Sequence, residues 1–161
     1  MLGGEKKIQF WSIYKNKSPT SSIPIARSGH SMTFYRLNSY FMFGGTINGL
    51  LDPSIKKIQP SNDLWLLDIG KGGFSWTKLT PKGITPSVRS NHIALLIKKS
   101  EGSEQLFIHG GMNQEGKLDD SYLYDPSQNK FTKIDYEDLK NVPSPRAHHS
   151  GYFYNGKVYI F

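Results

Sequence analysis

The sequence predicts an all-β chain assembled from repeated four-stranded antiparallel units. Three observations carry that expectation. Aromatic residues make up 13% of the 161 residues and stand among 16 glycines and 9 prolines, a mixture that suits short strands joined by tight turns. No window of ten or more residues keeps a 3.6-residue apolar period, and only DYEDLKN at 135–141 leaves room for a turn of helix. The chain also repeats itself: YFMFGG ends at Gly45, LFIHGG ends at Gly111, and KVYIF ends at Phe161, where a glycine pair would come next.

The other landmarks keep the same register. RSGH at 27–30, RSNH at 89–92 and RAHH at 146–149 each place a His three residues after an Arg, and Pro24, Pro86 and Pro143 precede the arginines by three. After each complete glycine pair comes an acidic stretch, NDLWLLD at 62–68 and DDSYLYD at 119–125, and then an aromatic strand opened by Trp76 or Phe131. From Arg to Arg the period is 62 and then 57 residues. WSIY from Trp11 matches the strand that closes a unit.

Taken in order, the strands are expected at 8–14; at 30–36, 39–43, 63–68 and 75–79; at 92–98, 105–109, 120–125 and 130–135; and at 149–154 and 157–161. Asn155–Gly156 is the strongest short signal for a tight hairpin, and LNSY at 37–40 makes the equivalent turn. KKSEGSEQ at 98–105 is a longer turn. A single four-strand unit cannot bury both faces of its sheet. Stacking the sheets radially buries both, which accounts for near-continuous apolar runs such as YFMF and HIALLI. Glycine permits positive φ and close backbone approach, so each pair lets the chain turn away beneath a packed neighbour. Trp65, Trp76, Tyr122 and Phe131 are then expected as filler between sheets.

These landmarks together resemble Kelch repeats, from about residue 8 to the end, with two whole repeats and two partial ones. The resemblance implies one partial Kelch-type β-propeller over residues 1–161, with about 2.5–3 four-stranded antiparallel blades. Its parts are an outer strand at 8–14, blades at 27–80 and 89–136, and the first half of a further blade at 146–161. The first unit departs from the pattern: Leu67 stands where Tyr is usual, two residues are added after Asp68, and the loop after Gly45 is expanded.

Composition excludes several classes of function. With no cysteine, disulfides, thiol catalysis and cysteine–zinc sites are ruled out. No apolar run reaches the ~20 residues of a membrane span. The start, MLGGEKK, has no apolar signal core, and Leu2 stands where myristoylation needs glycine, so the expected location is cytoplasmic. The net charge of +7 divides into +10 over residues 1–100 and −3 over 101–161, and the lysines are scattered. With 16 Lys against 4 Arg, the chain is poor in the residue best suited to phosphate, which argues against nucleic acid.

No reaction centre emerges either. His109 aligns with the apolar Phe43, and Met112–Asn113–Gln114 after the glycines is not a phosphate loop. His30, His92 and His149 recur once per unit, the mark of packing rather than of a single catalytic base. His148–His149 beside Asp119–Asp120 is a poor metal site, since neighbours on a strand face opposite sides. The copper oxidases that resemble this fold need a cysteine. The iron-dependent specifier proteins need a Glu-x3-Asp-x3-His pattern, but Glu115 and Asp119 are followed by Leu123. No catalytic residue, cofactor or metal is expected.

What the resemblance implies instead is recognition of a partner protein or peptide through the blade loops. After the first glycine pair these are Thr46, Ile47 and Asn48, and after the second Met112, Asn113 and Gln114. At the lead-in to each first strand they are Arg27–Ser28, Arg89–Ser90 and Arg146–Ala147, where the arginines also read as structural groups while Ser28 and Ser90 line the channel mouth. The loop 46–63 has 18 residues against nine at 112–120, which adds Leu50, Leu51, Lys56 and Lys57 to the expected partner site. The first reading is an adaptor of the ubiquitin-ligase kind. The alternatives are the regulatory propeller of a larger enzyme, such as a Kelch-containing phosphatase, and a cytoskeletal cross-linker. Incomplete blades at both ends also raise the expectation of homo-association.

Overall fold

A computed structural model of the chain describes residues 16–18, 23–47, 58–99, 101–136 and 142–161. Among these residues lie fourteen strands and no helix. The expected strand at 8–14, the loop residues 48–57 and most of the expected helical turn lie outside them.

Two four-stranded antiparallel sheets form the body. The first runs β2 (Ser31–Arg36), β3 (Ser39–Phe43), β6 (Leu64–Gly70) and β7 (Gly73–Leu79). The second runs β9 (Ile93–Lys98), β10 (Glu104–His109), β11 (Ser121–Asp125) and β12 (Lys130–Lys133). A hairpin of β13 (Gly151–Tyr154) and β14 (Lys157–Ile160) begins a third. Each strand falls within two residues of its expected bounds. The two residues added after Asp68 lengthen β6 and β7, which turn at Lys71–Gly72, rather than enlarging the loop. Leu37, at φ 51°, and the pair Asn155 and Gly156, at 49° and 74°, take the left-handed conformations that tight hairpins require.

Four two-residue strands were not legible, being too short to show a period. β1 (Arg27–Ser28), β4 (Thr46–Ile47) and β5 (Gln59–Pro60) form a small sheet of their own, and β8 (Lys82–Gly83) lies parallel to β12. Asn16 bridges Phe74 of β7 in the same parallel sense. The segment after one sheet's outer strand therefore straps the outer strand of the next.

The sheets stack face to face, with β2 against β9 and β9 against β13. Thr33 Oγ1 donates to the Ala94 carbonyl across the first joint at 3.0 Å. Between the two complete sheets lies the core: Phe41, Phe43 and Leu64 from one side, Leu106, Ile108, Tyr124 and Phe131 from the other. Phe41 meets Tyr124 edge-on with ring centres 5.5 Å apart, and Phe43 meets Phe131 at 6.0 Å. Trp65, Tyr122 and Phe131 are buried as expected, whereas Trp76 is only half-buried.

Candidate functional site

The double glycines build one rim of the molecule. Gly44 and Gly45 have φ of 66° and 92°, and Gly110 and Gly111 have 64° and 97°. A Cβ on Gly45 would stand 2.9 Å from the Ser28 carbonyl, and one on Gly111 would stand 2.7 Å from that of Ser90. Any side chain would push the lead-in segment away. A repeated circuit of main-chain bonds ties the same glycines to the lead-in of the next blade. Gly45 N–H donates to the Arg89 carbonyl at 2.9 Å, Arg89 N–H to Ser61 at 3.0 Å, and Ser61 N–H back to Gly45 at 2.8 Å. In the next blade Gly111, Arg146 and Leu118 close the same circuit at 2.8, 3.0 and 2.8 Å. Each glycine pair thus holds the lead-in of the following blade.

The arginines lie inside this framework. Arg89 is fully buried. Its Nε donates to the Ser87 carbonyl at 3.0 Å and Nη1 to the Gly110 carbonyl at 3.1 Å, while its fork meets Asp120 at 2.7 and 3.0 Å. Asp120 also accepts the Tyr122 hydroxyl at 2.9 Å. Arg27 repeats the arrangement with Ile25, Gly44 and both oxygens of Asp63, and Asp63 accepts the Trp65 indole N–H at 2.8 Å. Burial alone would raise the Asp63 and Asp120 carboxyls, but the arginine bonds and charge outweigh it and hold both below the usual carboxylate range. Arg146 bonds only the Ser144 carbonyl and hydroxyl, and has no carboxylate partner among the described residues. Read from sequence as partner contacts or as structural groups, Arg27 and Arg89 spend their guanidinium groups on the protein itself. The acids that receive them were missed. Their signal was present, since Asp63 and Asp120 each stand two residues before a buried aromatic.

Other expected residues do come together. Ser28 pairs with Thr46, and Ser90 pairs with Met112 through bonds of 2.8 and 2.9 Å. Thr46, Ser90, Met112, Asn113 and Gln114 line one cavity of about 200 Å³ between the two blades' loops. Ile58 and Pro60, which the sequence reading did not single out, complete it. Among the described residues no charged side chain lines it. Asn113 Oδ1 caps its own loop, accepting from the N–H groups of Glu115 and Gly116 at 2.8 and 3.2 Å. Ile47 is buried, Ala147 is half-buried, and Asn48, Leu50, Leu51, Lys56 and Lys57 lie outside the described residues.

The histidines sit at the joints beneath this rim. His92 packs edge-on against Phe43 with ring centres 5.2 Å apart, and its Nε2 meets Ser31 Oγ at 2.9 Å. Burial, with Arg89, His149 and His30 nearby, pushes the His92 imidazole down to about 3. His109 is fully buried, bonded through Nδ1 to Ser121 Oγ at 2.8 Å and stacked edge-on with His149 at 5.5 Å. Burial and the charges of His149 and Arg146 push it down to about 4, against the opposing pull of Asp120 and Asp119. Neutral, packed imidazoles of this kind are joint-filling groups.

Comparison with known proteins agrees with this architecture. Residues 7–161 match the family model described as the KLHDC2/KLHL20/DRC7 Kelch-repeats domain. The chain is 33% identical to human host cell factor 2 over 94% of its own length and 19% of that protein's. It is 31% identical to the host cell factor of Drosophila melanogaster, over 94% of the chain and 10% of the relative. It is also 28% identical to Kelch repeat-containing protein 2 of Saccharomyces cerevisiae, over 94% of the chain and 18% of that protein. The chain therefore spans less than a fifth of the length of these relatives.

Proposed function

Because this chain belongs to the Kelch-repeat family, we propose that it is a protein-interaction module whose partner sits on the double-glycine rim. One observation carries this reading. The cavity at Thr46, Ser90 and Met112–Gln114 is built by loops from two different blades, which the Gly45–Arg89–Ser61 circuit fixes relative to each other. Rigid strands presenting adjacent loops are the usual platform for recognition. A lining that is uncharged among the described residues, with Asn113 and Gln114 amides beside it, suits a segment that offers a small apolar side chain and main-chain polar groups. Arg27 and Arg89 act from below as positioning residues, and Lys56 and Lys57, expected in the longer loop 46–63, lie outside the described residues.

The test compares proteins retained from cell extract by the parent chain, by Met112→Arg, by a chain with loop 46–63 cut to the nine-residue length of 112–120, and by Lys99→Glu at the opposite end of the sheet. Partners lost with the first two variants and kept with the third, at unchanged thermal midpoints, are the expected result. Retention of the same partners by all four overturns the reading.

A further inference from the structure

The two joints between consecutive sheets use the same positions but different side chains. At the first, Phe43 of β3 packs edge-on against His92, whose Nε2 reaches Ser31 Oγ on β2 of the blade before. At the second, His109 stands where Phe43 stood, His149 where His92 stood, and Ile93 where Ser31 stood. Two imidazoles therefore face each other, ring centres 5.5 Å apart, and Ile93 offers His149 no hydroxyl. His109 Nδ1 meets Ser121 Oγ at 2.8 Å, and Ser121 Oγ meets the Tyr136 hydroxyl at 2.6 Å. His109 Nε2, however, is buried with no hydrogen-bond partner, and so are both nitrogens of His149. A neutral imidazole carries one donor and one acceptor, so His149 leaves both unmade inside the joint.

This pair adjoins the rim. His109 directly precedes the Gly110–Gly111 pair, and a Cβ on Gly110 would stand 3.0 Å from His149 Cε1. Gly111 belongs to the circuit with Arg146 and Leu118 that closes the loop 112–117 on the next blade's lead-in. The charged groups around the pair are Arg146, Asp119 and Asp120, with His92 nearby and Arg89 holding Asp120. Tyr136 is the remaining titratable neighbour, bonded through Ser121. We propose that this joint is an acid-released catch: when it opens, His109 and His149 each take up a proton, and the loop 112–117 loses its anchor on the next blade. Closed, the pair stays neutral, because burial, and after it the neighbouring positive charge, holds both imidazoles below their ordinary value of 6.5. Open, each returns toward 6.5, so protons favour the open form as the pH falls below that value. Two like charges in rings 5.5 Å apart, beside Arg146, also oppose reclosing. The first joint, with Phe43 in place of a second imidazole, frees only His92. The catch works whether or not a partner occupies the rim, so the chain alone serves for its test.

Amide hydrogen exchange followed by NMR between about pH 6 and 5, corrected for the intrinsic pH dependence of exchange, counts the protons. Each proton taken up on opening raises the opening constant about tenfold per pH unit. Protection of the Gly111, Leu118 and Arg146 amides should therefore fall by well over tenfold per unit, approaching a hundredfold. The Gly45, Ser61 and Arg89 amides of the first joint should lose about tenfold. His109→Phe, which copies the first joint, and His149→Phe should each bring the second joint down to about tenfold. Should one of these variants fail to fold, the other carries the test. A loss of about tenfold or less at the second joint of the parent chain overturns the proposal. So does an equal loss at both joints, or a loss that survives the substitution unchanged.

Discussion

Replacing Arg89 by Met keeps an aliphatic stem and removes the guanidinium, which lies over the Tyr122 ring. Five hydrogen bonds end with it: two with Asp120, two with Ser87 and one with the Gly110 carbonyl. Arg89 has no exposure of its own, but the Asp120 side chain retains 19%, so water can restore part of what the carboxylate loses. Breaking a buried pair from one side costs ~3–5 kcal/mol, and the access at Asp120 places this case near the lower end. For a chain of this size ~3 kcal/mol corresponds to a fall of roughly 6–12 °C in thermal midpoint. Arg146→Met, which removes only contacts with Ser144, should cost ~1 kcal/mol or less. Asp120→Asn combined with Arg89→Met should be milder than the sum of the two, since the stranded charge is gone. Calorimetry and urea unfolding on the four proteins make the measurement. If Arg89→Met lowers the midpoint no more than Arg146→Met does, the reading of Arg89 as the clasp between lead-in and glycine pair fails.

Acidification should weaken the fold before any carboxylate titrates. His92 and His109 have folded values depressed to about 3 and about 4, so the unfolded chain takes up their protons first, starting near 6.5. Their stabilising effect is intact above pH 6.5 and falls away below it; at pH 5 it is smaller by up to ~2 kcal/mol for each histidine. Thermal midpoints at pH 7.5 and 5 should show this, and His109→Phe, the residue its repeat partner Phe43 already supplies, should flatten the profile. Gly111→Val should cost ~2 kcal/mol or more, because φ of 97° and a Cβ 2.7 Å from the Ser90 carbonyl both oppose it; an unchanged midpoint would show that the glycines are not architectural. Phe131→Ala should cost ~3–5 kcal/mol, and Trp76→Ala, half-buried at the outer strand, less than half as much, both read by urea unfolding.

The ten longer strands, the repeat and the hairpin turns were determined by the sequence alone, because each is written in neighbouring residues. Apolar runs set β2, β3, β9 and β10, Asn155–Gly156 set the last hairpin, and the paired glycines set where the chain turns beneath its neighbour. The roles of the recurring charged and polar side chains were decided only by the stacking of sheets. From sequence Arg89 reads either as a structural group or as a loop residue facing a partner. In the folded chain Asp120, 31 residues away, and the Gly110 carbonyl of the same blade enclose it. His92 finds its hydrogen-bond partner in Ser31, 61 residues away and in another blade. Ile58 and Pro60 join the rim cavity although the sequence marked only the length of their loop 46–63, not these residues. Local pattern tells which side of a strand a residue takes. What stands opposite it depends on how one sheet is rotated and pressed against the next, and no neighbour in the chain records that.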